Sequence, residues 1–109
     1  DFTYIDDIVE GVCKIIELDV ENRHHYSLFN IGNNKTETLD DFILSIERAL
    51  NIHAIKKYLP MQRGDVSKTW ADIDDLSKEI NYKPKININE GIKKFVKWYK
   101  DYYKNKSYV

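Results

Sequence analysis

The chain has 109 residues, of which 42% are hydrophobic and 32% are charged, and its formal net charge at pH 7 is -1. This length suits one small domain with its own core, so residues 1–109 are predicted to form a single domain. The near-neutral charge excludes a strong field for attracting nucleic acid. No run of about 18 apolar residues and no signal-peptide pattern occurs, so the sequence favours the cytoplasm over a membrane or export.

Residues suited to metal or thiol chemistry are few. Cys13 is the single cysteine, so one chain cannot form an internal disulfide. His24 and His25 are adjacent and would point to different sides of the backbone, which does not suit a metal site. We interpret both, with His53, as surface loop residues and predict no metal site.

The apolar periodicity of the first third predicts both strand and helix. Residues 2–5 form a short apolar stretch of strand character, and residues 6–19 carry apolar side chains at helical spacing behind an N-cap at Asp6. Residues 26–31 form an aromatic and aliphatic run of strand length that ends at a Gly-Asn-Asn turn, residues 32–34.

Three further helices are predicted from capping patterns. Thr38 followed by Asp41 resembles a capping box and starts a helix over residues 38–51. An acidic start at Asp72 and Asp75 precedes a short helix that ends near residue 81. Asn87 with Glu90 begins a last helix, which reaches Tyr103.

Residues 55–59 are a possible edge strand that Pro60 ends. The predicted fold class is therefore mixed α/β, with about four helices and two or three short strands.

The polar loop at residues 62–65 has the best chemistry for a ligand. Gly64 allows backbone conformations closed to other residues, and Arg63 offers a planar set of donors suited to phosphate. Asp65 can accept hydrogen bonds from two vicinal hydroxyls, and Gln62 adds an amide. Together they suit a nucleotide-sugar, although the same residues could merely close a turn.

Catalytic patterns are missing. The four glycines are too scattered for a dinucleotide-binding turn, and no serine lies in a nucleophile-elbow context. Tyr102 and Lys106 match a Tyr-x-x-x-Lys spacing, but about one such match is expected by chance in this composition. We therefore predict no catalytic residue in this chain.

Several motifs in order resemble one known family. They are DFTYIDD at residues 1–7, YSLFNIG at 26–32, MQRGDV at 61–66, WAD at 70–72 and the helix that ends near WY at 98–99. Together they resemble the C-terminal, substrate-binding part of extended short-chain dehydrogenase/reductases of the NAD-dependent epimerase/dehydratase family, nearest to UDP-glucuronate epimerases.

The resemblance implies a parent protein that binds a UDP-sugar and NAD and epimerises the sugar. In the family, the NAD-binding loop and the catalytic residues lie in an N-terminal Rossmann domain, which these 109 residues do not contain. The resemblance assigns Asp65 to the ribose hydroxyls, and Gln62 follows the Met-Gln-x-Gly-Asp-Val pattern of the glucuronate epimerases. A phosphate role for Arg63 is inferred from its chemistry alone.

The chain alone is accordingly expected to be inactive and to hold no cofactor. Apolar surface that faces the Rossmann domain in relatives would be bare, so we expect self-association, or partial disorder at residues 60–70. Two alternatives stay open. The parent could be a 4,6-dehydratase or a reductase, or the chain could be a free-standing, non-enzymatic binding domain.

Overall fold

The computed structural model describes residues 1–18 and 26–104. This part of the chain contains four helices, which are α1 (Ile5–Ile16), α2 (Leu39–Leu50), α3 (Asp74–Ile80) and α4 (Ile88–Tyr103), and no strand. The predicted mixed α/β fold class is therefore wrong for the described residues. None of these four helices combines the length and the apolar character needed to cross a bilayer.

The two strands predicted in the first third are irregular backbone or, at Ile5, the start of α1, and side chains bond the backbone of the turn that follows the second. The backbone N–H groups of Asn33 and Asn34 donate to the Asp1 carboxylate at 3.0 and 3.1 Å. The Gly32 carbonyl accepts from the Tyr82 hydroxyl at 3.0 Å. A strand requires a neighbouring strand with which to form backbone hydrogen bonds. Here side chains bond the backbone of residues 32–34, directly after the predicted strand, instead. The aromatic and aliphatic pattern of residues 26–31 predicted an extended chain, but such a pattern does not show whether a neighbouring strand is present.

The third predicted strand, residues 55–59, is also irregular. Residues 51–70 are all exposed, and no backbone hydrogen bond joins residues 55–61 to another described residue. An extended segment without a neighbour is not a strand, whatever its composition.

The helix ends follow local capping chemistry. As predicted, the Thr38 hydroxyl oxygen accepts from the Asp41 N–H at 3.0 Å, and the Asn87 side chain accepts from the Glu90 N–H at 3.0 Å. Helix α1 differs from the prediction: Tyr4 is its N-cap, and Asp6 lies in the first turn without capping it. Helix α3 ends at Asn81, which adopts a left-handed conformation with a φ of 52°.

The described chain divides into two compact units. The first comprises Asp1–Thr36 and Lys68–Ile86, and its core is formed by the buried side chains of Ile73, Leu76 and Tyr82. Five partly buried residues pack against this core: Ile15, Phe29, Ile31, Ala71 and Ile80. Helices α1 and α3 contact each other within this unit.

The second unit comprises Glu37–Ser67 and Asn87–Val109, and it is built on the packing of α2 against α4. Ser45, buried on α2, places its hydroxyl oxygen 2.8 Å from Asn89 Oδ1 and 2.8 Å from the Asp41 carbonyl oxygen. A hydroxyl has one proton, so it donates to one of these two acceptors at a time. The contact ties the middle of α2 to the first turn of α4.

Candidate functional site

The loop at residues 62–65 is a solvent-exposed turn in the second unit. The Asp65 backbone N–H donates to the Gln62 carbonyl oxygen at 3.2 Å, which closes the turn. Gly64 has a φ of +97°, a conformation that favours glycine. A side chain at Gly64 would meet no atom within 4 Å, so backbone conformation, not space, accounts for glycine there.

The three predicted ligand residues are accessible. Gln62, Arg63 and Asp65 are all exposed, and neither charged side chain has an ion pair or a hydrogen bond with another described residue. The backbone bond brings residues 62 and 65 together, while no side-chain contact joins the three. The loop therefore presents an amide, a cation and a carboxylate to solvent, and a ligand would have to order them.

The concave surface of the second unit is elsewhere. A groove of about 400 Å³ runs between α2 and the segment that follows it. Its lining is mainly aliphatic, with Leu39, Ile43 and Ile55 among its residues, and Lys56 and Lys57 add charge. Apolar walls do not suit a nucleotide diphosphate, so the groove does not replace the loop as a candidate for that ligand.

Asp1 organises the first unit in a way that sequence reasoning missed. Its carboxylate accepts hydrogen bonds from the backbone N–H groups of Asn33, Asn34 and Ala71 at 2.9 to 3.1 Å, and from the Thr3 hydroxyl at 3.0 Å. One side chain thus joins three parts of the unit. The Gly-Asn-Asn turn was visible in the sequence, but its acceptor about 30 residues away was not.

Asp7 is a second hub that the sequence did not reveal. It is 3% exposed, and its two carboxylate oxygens accept from the backbone N–H groups of Lys85 and Ile86 at 3.1 and 3.0 Å. The sequence placed Asp7 only as an acidic residue favourable to the helix dipole. Its actual partners lie 78 and 79 residues away.

Glu10 forms an ion-pair network next to Asp7. Its carboxylate lies 2.8 Å from the Lys14 ammonium and 2.6 Å from the Lys85 ammonium. Hydrogen bonds from Lys14 and then Lys85 lower the pKa of Glu10 from 4.5 to about 2. The contact with Lys85 links α1 to the segment before α4, and the lowered pKa keeps Glu10 charged at neutral pH, so it is not poised to donate a proton.

No family model matches the chain. The chain is 48% identical over 99 residues to an uncharacterized protein of Methanocaldococcus jannaschii. The aligned region covers 91% of this chain and 29% of that protein. It is 38% identical to protein CapI of Staphylococcus aureus over 95% of this chain and 35% of CapI. It is also 38% identical to UDP-glucuronate 4-epimerase 4 of Arabidopsis thaliana over 94% of this chain and 26% of that enzyme.

The chain is homologous to the C-terminal part of UDP-glucuronate 4-epimerase-like proteins. The predicted resemblance is therefore confirmed. The chain spans only about a quarter to a third of the length of the curated relatives it matches. The epimerase activity named for the Arabidopsis relative belongs to an enzyme about four times as long as this chain.

The epimerase-like chain does not offer a dinucleotide site in its described residues. NAD binding in α/β folds uses closely spaced glycines at a strand-to-helix turn. Here Gly11 and Gly91 are buried inside α1 and α4, and Gly32 packs so closely that a Cβ would lie 2.6 Å from that of Ala71. Gly64 stands alone in its loop. The glycines of the described residues therefore do not form the turn that NAD binding requires.

The other residues considered as metal ligands, catalytic groups or packing elements lie partly outside the described part of the chain. Among described residues, no group of three or more His, Cys, Asp or Glu could hold a metal ion. His24, His25 and Lys106, the last being half of the Tyr102–Lys106 match, lie outside the described residues. Trp70, within the predicted WAD element, is exposed, while Ala71 packs on the core and Asp72 accepts from the Asp74 N–H at 3.1 Å.

Proposed function

We propose that this chain is the UDP-sugar-binding part of an NAD-dependent nucleotide-sugar epimerase of the UDP-glucuronate 4-epimerase type, acting in the cytoplasm. Homology to UDP-glucuronate 4-epimerases over 94 to 95% of the chain carries the proposal. NAD and the catalytic residues belong, in this proposal, to another part of the parent protein. The isolated chain binds but does not epimerise.

Within the proposal, the loop at residues 62–65 grips the nucleotide end of the substrate. The Asp65 carboxylate accepts from the two ribose hydroxyls, Arg63 faces the diphosphate, and Gln62 adds an amide contact. The exposure of these side chains and the absence of described partners for Arg63 and Asp65 support this assignment. Ordering an exposed loop opposes binding, so the isolated chain should bind weakly.

Titration of the isotope-labelled chain with uridine, 2′-deoxyuridine, UDP and UDP-glucuronate, followed by NMR, tests the proposal. Asp65→Asn should weaken uridine and UDP binding about tenfold, because a hydrogen bond to a charged group contributes about 1.5 kcal/mol. The loss should be smaller for 2′-deoxyuridine, which retains only one of the two hydroxyls. Arg63→Ala should weaken UDP but leave uridine unchanged.

Asp74→Asn serves as the matched control, because it makes the same chemical change at an exposed position on α3. Equal losses in Asp65→Asn and Asp74→Asn would contradict the assignment of Asp65. UDP-induced shifts confined to the groove beside α2 would contradict the choice of the loop. UDP-glucuronate epimerisation by the chain with NAD added would contradict its predicted inactivity.

A further inference from the structure

The loop at residues 62–65 is a type II β-turn. The Asp65 N–H donates to the Gln62 carbonyl oxygen at 3.2 Å, which is the bond between the fourth and first residues of a turn. Gly64, the third residue, has a φ of +97°, whereas Arg63, the second, has a negative φ. A negative φ at the second residue and a positive φ at the third distinguish type II from the other common turns.

Side chains do not hold this turn in place. No hydrogen bond or ion pair joins the side chains of Gln62, Arg63 and Asp65 to another described residue, and a Cβ at Gly64 would meet no atom within 4 Å. One exposed backbone hydrogen bond contributes little net free energy in water. The fraction of chains in which the turn is formed therefore depends on the backbone preferences of Arg63 and Gly64.

Formation of the turn brings together the two groups proposed to contact a nucleoside. The Cα atoms of the first and fourth residues of a β-turn lie less than about 7 Å apart, whereas three extended residues span about 10 Å. In the turn, the Gln62 amide and the Asp65 carboxylate extend from neighbouring backbone positions, from which both can reach one nucleoside. A ligand that needs both groups binds the formed turn, so its apparent affinity falls with the fraction of chains in which the turn is open.

We propose that Gly64 and Arg63 control ligand binding through the backbone of this turn, a role that rests on the nucleotide site proposed above. Gly64 is a positioning residue, because its positive φ holds residues 62 and 65 side by side. Arg63 determines specificity. Proline fits the second position of a type II turn best, since its fixed φ of about -65° matches the one required. Arg63 provides a cation for the diphosphate instead, and it leaves the turn less rigid.

Arg63→Pro is compatible with the observed backbone. The Arg63 N–H donates no hydrogen bond to another described residue, so proline removes none. A proline that fits the native conformation favours it about two- to fivefold, because it restricts the open chain. Arg63→Ala is the matched control, since both variants lose the cation and only proline restricts the backbone.

NMR titration of the 109-residue chain with uridine and with UDP separates the two effects of residue 63. Arg63→Pro should bind both ligands about two- to fivefold more tightly than Arg63→Ala does. Compared with the wild type, Arg63→Pro should bind uridine more tightly and UDP more weakly, because rigidity favours both ligands and the cation favours only UDP. Equal affinities of the proline and alanine variants for both ligands would overturn the proposal.

Gly64→Ala tests the positioning role. A residue with a Cβ is disfavoured at positive φ, so the turn should open and the affinities for uridine and UDP should both fall about five- to thirtyfold. Gly64→Asn should recover part of this loss, because asparagine adopts positive φ more readily. In this chain it does so at Asn34, Asn51 and Asn81, with φ values of 52 to 57°. Equal affinities of the alanine and asparagine variants, or a loss for UDP alone, would overturn the role of Gly64.

Hydrogen exchange of the Asp65 amide in the absence of ligand measures the turn separately from binding. After correction for intrinsic rates, exchange should be slower in Arg63→Pro than in Arg63→Ala, and faster in Gly64→Ala than in Gly64→Asn. Equal rates within each pair would overturn the proposal even where UDP still binds through the loop. The expected exchange rates combined with nucleotide affinities that no variant changes would instead refute the nucleotide site itself and, with it, the control of binding by the turn.

Discussion

The Tyr82 hydroxyl donates to the Gly32 carbonyl oxygen at 3.0 Å, and both residues are buried. This bond connects the segment after α3 to a turn 50 residues earlier. Tyr82 is also one of the two most completely buried side chains among the described residues. The first unit therefore has a buried polar contact beside the apolar side chains of its core.

Tyr82→Phe should lower the free energy of unfolding by about 1–3 kcal/mol, because it leaves the buried Gly32 carbonyl without its donor while keeping the ring. Urea denaturation monitored by circular dichroism measures the change. Tyr58→Phe is the control, since Tyr58 is 78% exposed. Equal stabilities of the two variants would show that the hydroxyl of Tyr82 contributes nothing.

The same tyrosine should make the chain sensitive to alkali. Burial, followed by the charges of Asp7 and Glu10, raises the pKa of Tyr82 above its ordinary value of 10.0. The unfolded chain then loses the proton at lower pH than the folded one, so the stabilisation is complete below pH 10 and is lost as the pH rises through the folded pKa. Unfolding midpoints between about pH 8 and pH 11 should fall for the wild type and fall less for Tyr82→Phe. Parallel curves would contradict this.

Asp7→Asn should destabilise the first unit by about 1–3 kcal/mol. The carboxylate accepts from two backbone N–H groups, whereas an amide presents one oxygen and would direct its NH₂ group toward the other. Asp74→Asn makes the same change at an exposed position in the first turn of α3 and should alter stability little. Comparing the thermal unfolding of the two variants distinguishes the loss of buried hydrogen bonds from a general effect of losing one negative charge.

Gly11→Ala tests the close packing of α1 on the core. An added Cβ would lie 2.5 Å from Ile31 Cδ1 and 3.2 Å from the Tyr82 ring, so overpacking of about 1–3 kcal/mol should exceed the gain of about 1 kcal/mol in helix propensity. Ile31→Val removes the Cδ1 atom and should recover part of the loss when combined with Gly11→Ala. Additive effects in this double-mutant cycle would show that the two groups do not compete for space.

Local chemistry made the helices predictable. The caps at Thr38 and Asn87 and the terminator at Asn81 act over three or four residues, and the structure confirms each of them. Homology to the epimerase-like family was also visible, because several short motifs occur in the right order. The sequence predicted a loop at residues 62–65, and the structure has a turn there, while the role of the loop in binding stays a prediction.

Pairing over long distances could not be predicted from the sequence. Residues 26–31 and 55–59 have strand composition, but composition does not show whether a neighbouring strand exists. The hubs at Asp1 and Asp7 bond backbone groups about 30 to 79 residues away, and no spacing in the sequence marks such bonds. Asp7 looked like an ordinary helix-start acid for this reason.

The segment at residues 55–61 is exposed, irregular and without backbone hydrogen bonds to other described residues. A protease binds an extended segment of this kind in its cleft, because it forms hydrogen bonds with the unpaired backbone groups of several consecutive residues. Lys56 and Lys57 place two basic side chains within it, which suits enzymes that cleave after lysine. Limited digestion with such an enzyme should therefore cut after Lys56 or Lys57 before it cuts after the lysines inside the described helices, and should release two pieces, one ending shortly after α2 and the other beginning ahead of the loop at residues 62–65.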